Sequence, residues 1–353
     1  MDKLDRSDKK IAIWLLIGVG MTIIQVLLGG ITRLTGSGLS ITEWNIITGI
    51  LPPLNEPAWM VEFDKYRQTP QFQLINFEFT LKDFKFIFFW EWFHRVWARS
   101  IGIVFAIGFV WFLLKKSFKK EMVKPLIILF LLGALQGAVG WIMVASGLTG
   151  DAVYVKPTRL ALHFILALGL LSYTFWFALS FLIDKTQLVQ NNKARKLNFL
   201  ILVILVFQLM YGALMAGHKA ANIAATWPTI NGEWLPSQLF KDQPLILNFI
   251  DNTILIHFIH RGLAYLMTII VIIWTIQLKK INGPSIFNFF RYIPFTLVLL
   301  QVFLGITSVL SSTSIIPGSW GVFEWMAQLH QFTGMLLLLS IIMLLFLVRN
   351  EKL

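Results

Sequence analysis

Apolar residues dominate this chain in eight long runs that are separated by polar segments. The runs cover approximately residues 11–31, 86–114, 124–146, 158–183, 196–216, 252–278, 290–311 and 325–348. A helix needs about 20 mostly apolar residues to cross the hydrocarbon core of a bilayer. Because each run reaches that length, the sequence predicts an all-α integral membrane protein with eight transmembrane helices.

The polar segments alternate in charge along the chain. Lysine and arginine collect in every second segment and at both ends, as at Lys3, Lys9, Lys10, Lys115, Lys116, Lys119, Lys120, Lys185, Arg195, Lys279, Lys280, Arg349 and Lys352. Cytoplasmic loops of membrane proteins carry such an excess of basic residues. We therefore predict that the N- and C-termini are cytoplasmic. The longest outer loop, about 32–85, is rich in aromatic residues and is expected to pack over the helix ends.

Composition agrees with a chain whose main solvent is lipid. Hydrophobic residues make up 57% and charged residues 14%, whereas a soluble domain has about 25% charged residues. The net charge of +12 is explained by the basic inner segments, so no nucleic-acid partner is expected. The absence of cysteine excludes disulfides, thiolate metal sites and covalent haem attachment of the c type.

Several landmarks recur at spacings that agree within two residues. The recurring pairs are Gln136-x-x-x-Gly140 with Gln301-x-x-x-Gly305, His94-Arg95 with His260-Arg261, and His163 with His330. A further pair, Gln25-x-x-x-Gly29 and Gln208-x-x-x-Gly212, links the first and fifth runs. Each unit contains an even number of spans, so both enter the membrane from the same side. The sequence thus predicts two parallel four-helix-bundle repeats, residues 1–190 and 191–353.

Four of the six histidines occupy matching positions near the outer ends of the even-numbered spans, namely His94, His163, His260 and His330. Ionisable residues inside spans are rare and usually functional. Two histidines at equal depth on adjacent helices suit the two axial positions of a haem iron. Zinc and copper sites usually add carboxylates or thiolates. Neutral imidazoles bonded to carbonyls are the structural alternative, but two matched pairs favour haem.

Other polar residues lie beside these histidines. Arg95 and Arg261 each place a guanidinium where haem propionates would accept paired hydrogen bonds; the alternative is that they snorkel to the headgroups. His257 shares a helix face with His260 and is a rival ligand, although the repeat favours His260. His218 has no counterpart in the other unit and is expected to be a loop or interface residue.

Glu91 precedes His94 by three residues and lies on the same face of the second span. A carboxylate there is suited to act as a general base, nucleophile or proton relay; the alternative is a helix-start carboxylate favoured by the macrodipole. The equivalent position in the other unit is His257. This asymmetry indicates that one site does chemistry while the other only transfers electrons.

With these residues in view, nearly the whole chain resembles the haem A synthases of cytochrome oxidase assembly. The most specific match is GGITRLTGSGLS at 29–40, continuing through Trp44 to ITGILPP at 47–53. It follows the first span and precedes the Glu-x-x-His-Arg sequence of the second. Some members carry a cysteine pair in the first outer loop, so this chain resembles the cysteine-free branch. Residues 216–221 and His257 also depart from the usual pattern.

The resemblance implies oxidation of a methyl group of haem O to the formyl group of haem A, through a hydroxylated intermediate. It assigns haem b, as redox cofactor, to His260 and His330 with Arg261. It places the iron of the substrate haem between His94 and His163 with Arg95, and it makes Glu91 the catalytic carboxylate.

The resemblance also implies a location and partners. The expected location is the inner (plasma) membrane, in contact with the lipid bilayer. The expected partners are a haem O synthase, other cytochrome oxidase assembly factors and further copies of the chain. Two alternatives remain open from the residues alone: a bis-His di-haem cytochrome b that carries electrons, and a haem transporter or chaperone.

Overall fold

The computed structural model describes residues 6–43, 50–316 and 318–349. Lys3, Trp44, residues 47–49 and Lys352, which entered the sequence predictions, lie outside these ranges. The α-helices are α1 (Arg6–Leu34), α2 (Glu56–Arg67), α3 (Pro70–Leu74), α4 (Leu81–Leu114), α5 (Lys120–Ala145), α6 (Pro157–Leu182), α7 (Asn192–Gly217), α8 (Thr253–Lys279), α9 (Ser285–Phe290), α10 (Ile293–Ser311) and α11 (Val322–Leu347). Short 3₁₀ turns occupy several connections between them.

Within the described residues, eight helical segments are long and apolar enough to cross a membrane. They are α1, α4, α5, α6, α7, α8, a segment Ser285–Ser314 that contains α9 and α10, and α11. The predicted number of spans is therefore confirmed. The second span begins at Leu81, earlier than predicted, because Thr80 and Asp83 form a capping box that starts the helix outside the apolar run.

Four helices form the centre of the molecule, and each carries one peripheral helix. The central helices α1, α6, α7 and α11 contact one another, while α4 packs on α1, α5 on α6, α8 on α7 and α10 on α11. The core is densest along α11, where Ile341, Leu344 and Phe346 are fully buried. The peripheral helices α4 and α5 bury few of their side chains.

Helices α1 and α11 are joined by two side-chain amides. Gln331 donates its Nε2 hydrogen to the Val26 carbonyl oxygen at 2.8 Å, and Gln328 donates to that of Leu27 at 3.0 Å. Gly30 lies beneath both glutamines, and a Cβ atom there would overlap the Gln328 side-chain oxygen. This close approach connects the first four spans directly to the last span.

The first outer loop packs over the outer end of α4, as its aromatic composition predicted. Phe63, Tyr66 and Phe72 from α2 and α3 form a buried cluster with Phe84 of α4. The Tyr66 hydroxyl donates to Gln71 Oε1 at 3.0 Å. Burial raises the pKa of Tyr66 to about 12, so the hydroxyl keeps its proton and this hydrogen bond at physiological pH. The loop is thus a packed cap over the first four spans.

Candidate functional site

One cavity of about 2450 Å³ runs through the spanning region and is lined by both the first four and the last four spans. Every site residue predicted from the sequence lines it, namely Glu91, His94, Arg95, His163, His260, Arg261 and His330. Pockets for small ligands usually enclose about 300–1,000 Å³. The cavity therefore has room for more than one large ligand.

Each of the four matched histidines rests on a glutamine and a glycine that stand one helical turn apart on a neighbouring helix. His94 lies against Gln25 and Gly29, His163 against Gln136 and Gly140, His260 against Gln208 and Gly212, and His330 against Gln301 and Gly305. The glutamine Nε2 lies 3.0 Å, 3.2 Å, 3.4 Å and 3.3 Å from a ring nitrogen in the four cases. We call each such arrangement a histidine cradle.

The glycine of a cradle is required by the space that the imidazole occupies. A Cβ atom on Gly140 would come within 2.8 Å of His163 Cε1, and one on Gly305 within 3.0 Å of His330 Cε1. The corresponding distances are 3.3 Å for Gly29 and 3.2 Å for Gly212. These contacts give the Gln-x-x-x-Gly recurrence its physical reason: it fits one helix to the imidazole of another.

The His260 and His330 rings have a separation that fits one metal ion between them. Their centroids are 6.3 Å apart and their planes are inclined at 74°. Two imidazoles that bind a metal from opposite sides, with metal–nitrogen bonds of about 2.0–2.1 Å, place their ring centres about 6 Å apart. The pair therefore fits axial ligation of a haem iron.

Hydrogen bonding orients the His330 ring for such a role. Its Nδ1 lies 3.0 Å from the Gln301 carbonyl oxygen, and only a protonated nitrogen can donate to a carbonyl. The Nε2 atom is then the unprotonated nitrogen, whose lone pair faces the Gln301 amide at 3.3 Å. A metal-binding histidine is usually held in this way by a carbonyl behind it. The described residues contain no cluster of three or more His, Cys, Asp or Glu side chains that could hold a metal ion directly.

Glu91 is 3% exposed, and its carboxylate has three hydrogen-bond donors. Oε1 accepts from Arg95 Nη2 at 2.5 Å, and Oε2 accepts from the Ser40 hydroxyl at 2.7 Å and from the Ile41 backbone N–H at 2.9 Å. Three donors, one of them charged, hold the carboxylate in one orientation. Glu91 thus connects α4 to the start of the first outer loop.

The two predicted arginines bind outer-loop carbonyls. Arg95 donates to the Ile41 carbonyl oxygen at 3.1 Å, and Arg261 donates to those of Ala224 at 2.7 Å and Thr226 at 2.9 Å. Neither arginine therefore extends its guanidinium alone towards the lipid headgroups. Their contacts fix the two outer loops to α4 and α8, and binding of propionates by either arginine stays a prediction.

The remaining two histidines make contacts with the outer segments. His257 is fully buried; its Nε2 donates to the Ala220 carbonyl oxygen at 2.6 Å, while its Nδ1 faces Arg261 at 3.4 Å. Because the His260 ring faces that of His330 at 6.3 Å, the geometry favours His260 as the ligand. His218 ends α7, donates to the Ile250 carbonyl oxygen at 2.7 Å and is not among the residues that line the cavity.

Arg33 is a site residue whose role sequence reasoning missed, although the matched motif contains it. It lines the cavity near the outer end of α1, two helical turns beyond Gln25. Its Nε is buried without a partner, and its guanidinium makes no hydrogen bond to any described residue. Glu324 on α11 acts on it only electrostatically. The sequence did contain a signal for this role: Arg33 lies within a span, on the helix face that also carries Gln25 and Gly29.

Comparison with known proteins identifies the family. A model of the cytochrome oxidase assembly protein family matches residues 12–342. Haem A synthase from Novosphingobium aromaticivorans is 40% identical over 336 residues, covering 93% of this chain and 91% of the relative. The haem A synthase from Paracoccus denitrificans is 38% identical over 86% of this chain and 81% of the relative. The haem A synthase from Flavobacterium psychrophilum is 36% identical over 94% of this chain and 96% of the relative.

The chain belongs to the haem A synthase family of cytochrome oxidase assembly proteins. The resemblance drawn from GGITRLTGSGLS and the matched histidines is thereby confirmed. As a member of this family with eight apolar spans, it is a multi-pass membrane protein. The haem A synthase relatives match it over most of their own length, so the family assignment covers both groups of four spans.

Replacing a cradle glycine is expected to displace its histidine. In Gly305→Val the added side chain overlaps the His330 ring, so we expect at least a tenfold loss of bound low-spin haem, measured by absorption spectroscopy of the purified protein. Gly262→Val is the matched control, because a Cβ atom there meets nothing within 4 Å. Equal haem content in the two variants would show that the glycine does not set the ring position.

Proposed function

We propose that this protein is a haem A synthase, which oxidises a methyl group of haem O to a formyl group through a hydroxylated intermediate. The observation that carries the proposal is a single cavity lined by two pairs of cradled histidines, of which one pair is accompanied by the buried carboxylate Glu91. The haem A synthases that match most of the chain at 36–40% identity support it. They do not favour a plain electron carrier or a haem transporter.

The two histidine pairs are assigned different occupants. His260 and His330 hold haem b, with Arg261 fixing the outer loop above them; their ring separation of 6.3 Å supports this. Haem b supplies electron transfer when bound. His94 and His163 receive the iron of haem O, and Arg95 fixes Glu91 beside them. Each Gln–Gly cradle holds its imidazole at the depth and orientation that an axial ligand needs.

Glu91 is the catalytic carboxylate. A carboxylate has about four lone-pair sites, and three donors leave one of them to hold a proton that the substrate releases when its methyl carbon loses electrons to the redox cofactor. Glu91 and His94 stand one helical turn apart on one face of α4, so a porphyrin bound through His94 has its edge near the carboxylate. Ser40, Ile41 and Arg95 hold the carboxylate in place and exclude other rotamers.

Arg33 is the anchor for a propionate of the substrate. Arg95 and Arg261 donate hydrogen bonds to groups within the protein, whereas Arg33 faces the cavity with unused donors. A buried guanidinium without hydrogen bonds is costly, and a carboxylate accepts two parallel bonds from it. Arg33 also follows Gln25 and Gly29 on α1, which places it one turn outward from the His94 ring.

The wider organisation is proposed from sequence and packing together. Residues 1–190 and 191–353 are two parallel four-helix-bundle repeats with cytoplasmic termini, in the inner (plasma) membrane. The four matching cradles support the repeat, and the basic segments support the orientation. Protease access to the termini in inverted vesicles tests this orientation. Substrate chemistry points to a haem O synthase as supplier. Cytochrome oxidase assembly factors and a second copy of the chain are further proposed partners.

Removal of a cofactor ligand is expected to remove haem b. His260→Ala and His330→Ala should each abolish the reduced-minus-oxidised haem b spectrum of the purified protein, because one axial bond is lost. His257→Ala is the control: it should keep the spectrum and lower stability, since a buried hydrogen bond is worth about 1–3 kcal/mol when its partner is left unsatisfied. Loss of the spectrum in His257→Ala but not in His260→Ala would reverse the ligand assignment.

Removal of the carboxylate is expected to stop oxidation. Glu91→Ala and Glu91→Gln, co-expressed with a source of haem O, should yield no haem A by mass analysis of extracted haems while the haem b spectrum persists. Ser40→Ala removes one donor to Glu91 but leaves the carboxylate, so haem A formation should fall less than tenfold. Full activity of Glu91→Gln would contradict the catalytic role, and wild-type protein that yields only haem O would contradict the proposed function.

Loss of the guanidinium at position 33 is expected to weaken substrate binding. Arg33→Met keeps the side-chain length and removes the charge, so haem O should bind about tenfold to a hundredfold more weakly, as expected for one hydrogen bond to a charged group. Arg33→Lys should recover part of the loss. The dimethyl ester of haem O should bind equally to all three proteins; a loss of ester binding in Arg33→Met would assign Arg33 a structural role instead.

A further inference from the structure

The two groups of four spans are closed to different extents. In the last four spans α7 contacts α8 and α11, and α10 contacts both α8 and α11, so the four helices form a closed ring. In the first four spans α1 contacts α4 and α6, and α6 contacts α5, but no comparable contact joins α4 to α5. Both helices are described along their whole length. The first group is therefore open along one side, between α4 and α5.

The cavity extends along this opening. On α4 its lining residues run from Lys82 to Leu113, so it continues about 28 Å inward from His94 at about 1.5 Å per residue. On α8 the lining ends at Met267, about 10 Å from His260 by the same rise. The cavity is thus deep beside the first histidine pair and shallow beside the second.

Residues along the opening line the cavity and are more than half exposed. Val110 on α4 is 51% exposed, and Ile127 and Phe130 on α5 are 54% and 62% exposed. In the other group Ile276, the counterpart of Val110, is also exposed, at 55%, but Val271 and Trp274 of α8 are fully buried, so the space beside them is filled. The cavity is therefore accessible along the side where α4 and α5 make no comparable contact, and apolar side chains line this side.

The sequence differs between the groups at this depth. In the register that aligns Gln136 with Gln301, Gly133 takes the place of Val298. A Cβ atom on Gly133 would meet nothing within 4 Å, while Val298 is 2% exposed and belongs to the core. The peripheral helix thus has empty space in the first group where the second group has a packed side chain.

We propose that the cleft between α4 and α5 binds the long apolar tail of the substrate haem and is the route by which that haem enters from the bilayer. The proposal rests on the proposed function, because it takes His94 and His163 as the substrate ligands. We call this feature the α4–α5 cleft, lined by Val110, Leu113, Ile127, Phe130 and Gly133.

Physical chemistry favours this occupant. The cleft is apolar, extends inward from the iron site and opens to lipid, so a tail can slide in without entering water, and the porphyrin can follow. The closed ring of the last four spans has no such space and suits a cofactor that has no tail and stays bound. Sideways entry also leaves the cap over the outer end of α4 in place.

The test fills the cleft and compares two haems. The holoenzyme, loaded with haem b, is titrated with haem O and with protohaem, which has the same iron and carboxylates but no long tail. In Gly133→Trp the indole occupies the cleft, so we expect haem O to bind at least tenfold more weakly while protohaem binds as in wild type. Gly169→Trp on α6 is the matched control, because Gly169 also has open space around it and does not line the cavity.

The outcomes separate this proposal from the proposed function. The haem b spectrum reports correct folding of each variant, and Gly133→Leu provides a smaller plug should the tryptophan variant lose that spectrum. Unchanged haem O binding in the plugged protein, or equal weakening of haem O and protohaem, would overturn the cleft as the tail site. Wild-type protein that binds haem O with a tail-dependent affinity but forms no haem A would contradict the proposed function and leave the cleft standing.

Discussion

The contact on which the site depends is an imidazole resting on a glycine of the neighbouring helix. It occurs four times, and in each case the next turn of that helix supplies a glutamine amide to the ring. The glycine lets the ring lie between two helices that remain close, and the amide limits how it can turn. Helix spacing, ring depth and ring orientation are therefore set together. A ligand pair for a haem iron needs all three.

The same frame performs different tasks in the two groups of spans. Glu91 and His257 occupy equivalent positions, each one turn before an arginine, and each binds its outer loop: Glu91 accepts from Ser40 and Ile41, whereas His257 donates to Ala220. The structural contact is shared, but only the carboxylate adds a strong proton acceptor to the cavity. The two groups thus differ in chemistry at one position of the same local geometry.

The first four and the last four spans also differ in whether their helices form a closed ring. Trp274 of α8 is fully buried in the core. The equivalent position on α4 is Gly108, against which Trp14 of α1 packs. The first group consequently keeps an open flank between α4 and α5, and the second does not. Together with Glu91, this openness is the basis for proposing that the first site exchanges its ligand and the second retains it.

The sequence by itself determined the eight spans, the matched histidines and the family, because helix formation in lipid depends on local apolar length and because the motifs are contiguous. Only the tertiary structure decided how Arg95 and Arg261 use their donors, that Arg33 faces the cavity with donors unused, and that α4 and α5 stand apart. These properties depend on contacts between residues far apart in the chain. Local patterns of polarity do not specify which distant carbonyl a guanidinium reaches or which helix pair leaves a gap.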